Sequence, residues 1–463
     1  MKIKELWIED YKLLKDFNIV LDEQLIVMIG QNGSGKSTVL EFTAKIFYDL
    51  YEHFVLEKGS KPTHDFKLRY ETSYMNSNYE VYITANKKTK EYYEVNIKKD
   101  DENFEKYSKA LINKTFNGGY KDILPQNVVM YYSGISDTLE KRFREFQKEN
   151  FIDKSLDGSI NIEQPFFYFL PENLSTIFIG LLSYEYGDIP IILSEQFQIN
   201  GFESIKIILH KPSWGNNDST HYWGARGDLA VFLERLNESS NEAFFEEEQI
   251  IFKLISQDEL ESLWSEYGEE KKLFEYLTTL QANGLIKDIE IKVNKNDEII
   301  SYNGLSEGEK QLLVILGLKE LLSVDNSLFL LDEPDTYLHP KWQKDFIKRL
   351  VEKEDENQFL ITTHSPLILA HLRKNYLKII KDGKIDESIH YSYGRDMNSI
   401  LLDLMGVLKR PKEIEEKVSA LFSAFELEKL DDAKELLSEL TEYFGEEDNI
   451  IIEANTILSI LED

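Results

Sequence analysis

The sequence predicts an α/β fold with a mixed sheet, an antiparallel β subdomain, a helical insertion and a helical C-terminal tail. Three observations carry that prediction. First, the apolar stretch Leu25-Ile26-Val27-Met28-Ile29 runs into Gly30-Gln31-Asn32-Gly33-Ser34-Gly35-Lys36-Ser37-Thr38, and then into apolar residues at helical spacing (Val39, Leu40, Phe42, Ile46, Phe47, Leu50). This is the strand, glycine loop and helix order of an α/β unit. Second, two more short apolar runs, Leu328–Leu331 and Gln358–Thr363, read as buried strands ending at Asp332-Glu333 and at His364. Third, segments 66–71, 79–85 and 91–98 read as antiparallel strands, the last two joined by the turn Asn86–Lys90.

The remaining elements follow in order. Residues 3–9 and 17–21 read as strands joined by a turn at Asp10–Lys15, and Val128–Tyr132 as a buried strand followed by Ser133-Gly134. From about residue 136 the chain turns polar and acidic. Residues 137–149 and 228–285 read as helical, including Phe244–Glu248 and Leu260–Tyr267, around a less regular stretch at Trp214–Asp218. No heptad persists for three or four repeats, so a long coiled coil is not expected. Strand signals return at Ile289–Val293 and Ile299–Tyr302, a helix runs from Glu307 to about Leu322, and 398–463 reads as helical, with Asp431 as one N-cap. The expected division is a first lobe at 1–135, a compact and mainly helical insertion at 136–285, a second lobe at 286–395 and a helical tail at 396–463.

Composition narrows the class. With 463 residues, 42% hydrophobic and 30% charged, the chain can bury a large core and is not of disordered type. No apolar run approaches the roughly 20 residues that span a bilayer, and the start, Met1–Glu5, leads into strand-like sequence without a secretory apolar region. The absence of cysteine excludes disulfides and thiolate metal sites. A cytoplasmic protein with no membrane partner is the expectation. The net charge of −31 opposes broad contact with nucleic acid, whose binding rests on Lys and Arg neutralising phosphates, and leaves DNA to a local patch or a partner.

Gly30-x4-Gly35-Lys36-Ser37 matches the P-loop pattern in its required context. Backbone N–H groups of Gly30, Asn32, Gly33, Ser34, Gly35 and Thr38 would wrap the phosphates at a helix N-terminus. Lys36 would reach the β/γ-phosphates and the Ser37 hydroxyl would ligate Mg²⁺, making ATP and Mg²⁺ the expected cofactors. Asp332, at the end of an apolar strand about 300 residues later, would hold the same Mg²⁺, and Glu333 would act as general base toward a water. Ser306-x-x-Glu309 before an apolar helix is by itself a capping box.

With Leu305-Ser306-Glu307-Gly308-Glu309-Lys310-Gln311 about 20 residues before Asp332-Glu333, the chain resembles the ABC ATPase superfamily. The resemblance covers roughly 1–135 and 286–395 and implies an ABC-type P-loop head. It implies that Ser306 and Gly308 form a signature motif that meets the γ-phosphate held by an opposite subunit, so the protein works as a pair of heads. It also implies that Asp335 lies in a dimer-crossing loop and that His364, in Thr362-Thr363-His364-Ser365-Pro366, senses the γ-phosphate. Asp335-Thr336-Tyr337-Leu338-His339-Pro340 and the Thr-Thr-His-Ser-Pro string look like the SMC/RecF/OLD-like branch. In that branch a basic residue at the place of Lys12 sits near the phosphates. The glutamine that ABC ATPases usually carry after the strand here at Val128–Tyr132 is missing, which leaves Gln126, before that strand, as the candidate second metal contact. The helical tail resembles that of the ATPase subunit of Septu-type anti-phage defence systems.

The expected function is therefore a regulatory ATPase that pairs its heads and controls a partner effector, a nuclease, in anti-phage defence. A DNA-repair or chromosome-handling ATPase that binds DNA is the alternative, and a transporter ATPase a more distant one.

Overall fold

A computed structural model of the chain describes residues 1–100, 102–133, 137–147, 165–351, 357–388, 390–407 and 410–462. Gly134 and the end of the helix expected at 137–149 lie outside the described residues. The chain divides into two compact units, Met1–Ile389 and His390–Asp463.

The first unit is built on a sheet of seven strands among the described residues. From edge to edge these are Lys384–Ile385, Leu377–Lys381, Leu25–Ile29, Gln358–Thr362, Leu328–Asp332, Val128–Tyr132 and Phe166–Tyr168. All neighbours are parallel except the first pair. Three central strands, Leu25–Ile29, Leu328–Asp332 and Gln358–Thr362, are buried at every position, which is why they read as unbroken apolar runs. A six-stranded antiparallel sheet carries Lys2–Tyr11, Leu14–Val20, Phe66–Tyr74, Ser77–Ala85, Tyr93–Lys99 and Glu105–Lys106. Helix Lys36–Phe54 packs with both sheets: Phe42 and Phe47 share one core with Ile3, Leu68, Tyr70, Leu330 and Leu360. The first hairpin is tighter than expected, with Tyr11 paired to Leu14 and the turn reduced to Lys12-Leu13.

The insertion departs from its mainly helical expectation. It has helices, but strands Ile199–His210, Glu242–Phe245 and Gln249–Leu254 join Ile286–Lys295 and Glu298–Ser301 in a five-stranded antiparallel sheet. Phe244-Phe245, read as helical, pair instead with Ile251 and Ile250, and Glu246 closes the hairpin with Gln249. The expected boundary at 285/286 is likewise crossed, because Ile286–Lys295 pairs along Ile199–His210. The physical reason is tertiary. Ile250, Phe252 and Leu254 alternate inward, and the strand Ile199–His210 that pairs beside them is itself paired with Ile286–Lys295, far away in sequence.

The second unit holds helices Met397–Asp403, Lys412–Glu426, Leu430–Phe444 and Asn449–Glu462, with Leu421, Phe425, Leu437, Leu440 and Ile451 in its core. Asp431 is not an N-cap. The cap is Lys429, and Asp431 sits in the first turn, where its charge meets the positive end of the helix.

Candidate functional site

Parallel pairing brings the C-terminal ends of three strands together, so Gly30, Asp332 and Thr362–His364 face one end of the sheet. The loop from Gly30 to Gly35 needs its glycines. A Cβ on Gly30 would lie 2.1 Å from the Ile380 carbonyl oxygen, and Gly33 and Gly35 adopt φ of +76° and +112°. Gly35 is the N-cap of the helix that begins at Lys36. Lys36 folds back over the loop, its Nζ donating to Gly30 O (2.9 Å) and Gln31 O (3.2 Å). Burial lowers the Lys36 pKa against the opposing pull of Glu333 and Asp332. Ser34 Oγ is buried without a hydrogen-bond partner, and Asn32 and Gly33 are exposed at the loop tip. A buried lysine, an unpartnered hydroxyl and a row of backbone N–H groups at a helix N-terminus fit a polyphosphate.

The Ser37 hydroxyl donates to Asp332 Oδ1 (2.7 Å), and the Thr362 hydroxyl donates to the same oxygen (2.6 Å). Burial raises the Asp332 pKa, and these two hydrogen bonds oppose it. Ser37 and Asp332 thus present adjacent hard oxygen atoms beside the phosphate cradle, a donor set that fits Mg²⁺, which takes few protein ligands and completes its shell with substrate phosphate and water. Glu333 follows with φ of 48°, an unfavourable backbone for a non-glycine residue. Its N–H is held by Thr362 O (3.2 Å) and Thr362 Oγ1 (3.0 Å). His364 Nε2 lies 3.5 Å from Glu333 Oε1 without forming a hydrogen bond. Burial, together with the charge of Lys36, keeps the His364 pKa below its ordinary value, so the ring is neutral at pH 7. Lys36, Ser37, Asp332, Glu333 and His364 are therefore one cluster.

The signature segment forms the N-terminus of helix Glu307–Leu322. Ser306 caps it, accepting from Glu309 N–H (3.3 Å), while the Glu309 carboxylate accepts from Ser306 N–H (2.9 Å) and pairs with Lys295. Ser306 itself is exposed. Gly308 lies against the next loop, where a Cβ would sit 2.6 Å from the Tyr337 carbonyl oxygen. Gln311 joins three elements: its Nε2 donates to Tyr131 Oη (3.1 Å) and its Oε1 accepts from Tyr337 N–H (2.8 Å). The Asp335 side chain turns inward rather than outward. It is 4% exposed and accepts from the Thr363 hydroxyl (2.8 Å). That corrects its expected place among nucleotide contacts: in this head Asp335 braces the loop against the strand that leads to His364.

One further expectation is corrected. Gln126 lies before Val128, which pairs with Leu328 at the start of the Asp332 strand, so it is at the opposite end of the sheet from Ser37 and Asp332, where its side chain donates to Lys121 O (3.2 Å). Lys12 is engaged by Glu41 (2.5 Å), whose other oxygen accepts from Tyr11 Oη (2.7 Å). Lys12 is thus paired with the helix that leaves the loop. Thr362, Gln311 and Tyr132 were not singled out in the sequence. Thr362 had a signal, since it is the last residue of the run before His364. Tyr132 had only its place at a strand end.

Residues 1–369 match the AAA ATPase domain family. Among curated relatives, the retron Vc95 probable ATPase of Vibrio cholerae serotype O1 biovar El Tor is 22% identical over 92% of this chain and 83% of its own length. The retron Ec83 probable ATPase of Escherichia coli is 26% identical over 48% of this chain, and the match spans 45% of that relative's length. Two solved structures align with 83% of the chain: the recombination mediator protein RecF with ATP (97% of that chain, 17% identity, TM-score 0.35) and the SMC head domain from Thermotoga maritima (98% of that chain, 13% identity, TM-score 0.35). With four-fifths of its length matched and its phosphate loop, acidic strand end and histidine in one cluster, the chain belongs to the AAA ATPase domain family and is an ATPase.

Proposed function

We propose that this ATPase uses ATP with Mg²⁺, pairs with a second head across two composite nucleotide sites, and through that pairing controls a partner effector, a nuclease, in bacterial anti-phage defence. The observation that carries the nucleotide chemistry is the convergence of Lys36, Ser37, Asp332, Glu333 and His364 at one end of the sheet. Lys36 neutralises phosphate charge. Ser37 and Asp332 hold the metal, which when bound polarises the phosphate and screens its charge. Glu333 accepts the proton of the attacking water, and the neutral His364 ring can donate to a phosphate oxygen.

Pairing is supported by the signature segment. Ser306 is exposed at the N-terminus of a 16-residue helix, and its side chain bonds its own first turn. A helix N-terminus open to the surface is suited to an anion brought by another molecule. A two-fold pair is isologous, so Ser306 of each head faces Lys36 of the other. The retron ATPases among the relatives support a role in defence, and the −31 charge supports leaving nucleic-acid contact to the partner.

Heterodimers of Ser306→Arg and Lys36→Ala test the composite sites. One site then carries both lesions and the other is intact, so mixing two inactive variants restores part of the ATPase rate. No recovery in heterodimers shown to form refutes shared sites. The pure chain hydrolyses ATP and leaves plasmid DNA uncut. Metal-dependent cleavage abolished by a mutation outside the ATP cluster refutes the division of labour with a partner.

A further inference from the structure

The loop that follows Glu333 is held by side-chain amides from two helices. One is Gln311, 4% exposed on helix Glu307–Leu322. Its side chain meets Tyr337 N–H at 2.8 Å and Tyr131 Oη at 3.1 Å. A backbone N–H can only donate, so the atom facing Tyr337 is Oε1, which leaves Nε2 to donate to Tyr131. Tyr131 is itself fixed by stacking on Phe169, with ring centroids 5.4 Å apart. Gly308, three residues before Gln311 and so on the same helix face, lies against the Tyr337 carbonyl. The other amide is Gln343 of helix Pro340–Leu350. It donates to Asp335 O and Leu338 O (3.1 Å each) and accepts from Ser365 Oγ (2.8 Å), one residue after His364.

Glu333 stands at the start of this loop in a conformation it would not hold by itself. Its φ of 48° is costly for a residue with a Cβ. Its N–H is fixed by Thr362, and its carbonyl accepts from Thr336 N–H (3.3 Å) and from the Thr336 hydroxyl (2.9 Å). Those bonds close the turn at Thr336, and the next residue, Tyr337, carries the bond to Gln311. Freeing Tyr337 lets the turn unwind and Glu333 relax toward negative φ, which swings its carboxylate away from His364. We propose that Gln311 is a positioning residue for hydrolysis: by tying Tyr337 to the signature helix and to Tyr131, it holds the Glu333 carboxylate in place. A glutamine offers an acceptor to Tyr337 and a donor to Tyr131 without burying a charge.

This inference rests on Glu333 as general base, and a double-mutant cycle separates the two. Steady-state ATP hydrolysis and binding of a fluorescent ATP analogue, both with Mg²⁺, are measured for wild type, Gln311→Met, Glu333→Gln and the double variant. Methionine keeps length and volume and makes neither bond. In Gln311→Met kcat falls about ten- to a hundredfold, the effect of misplacing a reacting group by ~1 Å. Its KM and its affinity for the analogue stay within about twofold of wild type. In the Glu333→Gln background there is no base to misplace, so Gln311→Met changes the residual rate by less than about twofold. The same cycle with Tyr131→Phe, which keeps the ring on Phe169 and spares the Tyr337 bond, gives this pattern at smaller amplitude. A wild-type kcat in Gln311→Met overturns the proposal, as does a loss of analogue affinity that matches the loss of rate. If Glu333→Gln hydrolyses ATP at the wild-type rate, the general base is wrong and the inference falls with it. If Glu333→Gln is impaired and the two losses multiply in the double variant, the base stands and the Gln311 inference alone falls.

Discussion

Asp335→Asn tests how the loop after Glu333 is held. Asp335 is 4% exposed, one of its oxygens accepts from Thr363, and the other, Oδ1, has no hydrogen-bond partner. Burial pushes its pKa up from the ordinary 3.8 to about 6, with the Glu333 charge adding to the rise and hydrogen bonds from Thr363 and from its own N–H opposing it. A carboxyl whose pKa is raised in the folded state binds its proton more tightly there than in the unfolded chain. Its contribution to stability is therefore fully present below the unfolded pKa and is lost as pH rises through about 6. At about 1.4 kcal/mol per pKa unit, a rise of roughly two units amounts to about 3 kcal/mol of destabilisation at pH 7.5. Asparagine keeps the oxygen that accepts from Thr363 and cannot ionise. Its amide N–H₂ in the place of Oδ1 forfeits about 1–2 kcal/mol if left unpaired. The variant is thus more stable than wild type at pH 7.5, by about 1–2 kcal/mol, and has no such margin at pH 4.5. Thermal unfolding of both proteins across pH 4.5–7.5 reads the difference. Other groups with raised pKa, Asp332 among them, titrate in both proteins and cancel. A wild type and variant with parallel pH profiles, or a variant less stable at pH 7.5, refutes the assignment of a buried, ionised Asp335.

Other variants probe the cluster directly. Lys36→Ala removes the cation folded over the loop and weakens ATP-analogue binding at least tenfold, measured by fluorescence titration. Glu333→Gln keeps shape but cannot take a proton from water, so steady-state hydrolysis falls by a factor on the order of 10²–10⁴ while analogue binding persists; hydrolysis at the wild-type rate would remove the base from Glu333. Gly308→Ala forces a methyl to 2.6 Å from the Tyr337 carbonyl oxygen. The loop must move, which lowers stability by about 1–3 kcal/mol and slows turnover with nucleotide binding intact, as calorimetry and ATPase assays read.

The nucleotide loop, the acidic strand end and the histidine were legible because each is a local string whose neighbours in sequence also build its geometry. A fully buried parallel strand must read as an apolar run, and a phosphate loop must have glycine where φ is positive or backbone comes close, as at Gly30 and Gly35. The capping box at Ser306–Glu309 was legible for the same reason. Tertiary structure decided what depended on distant partners. Ile199–His210 and Ile286–Lys295 form one sheet although some 80 residues separate them, and the acidic run Glu246–Glu248 in the turn after Glu242–Phe245 mimics a polar helix until the pairing is seen. Which carboxylate Lys12 meets, whether Asp335 points outward or to Thr363, and which end of a strand Gln126 occupies are matters of chain crossing and register. A one-residue change of register reverses every side chain in a strand. That is how Tyr131 came to Gln311 and Tyr132 to the register of Asp332, a division no spacing in the chain announces.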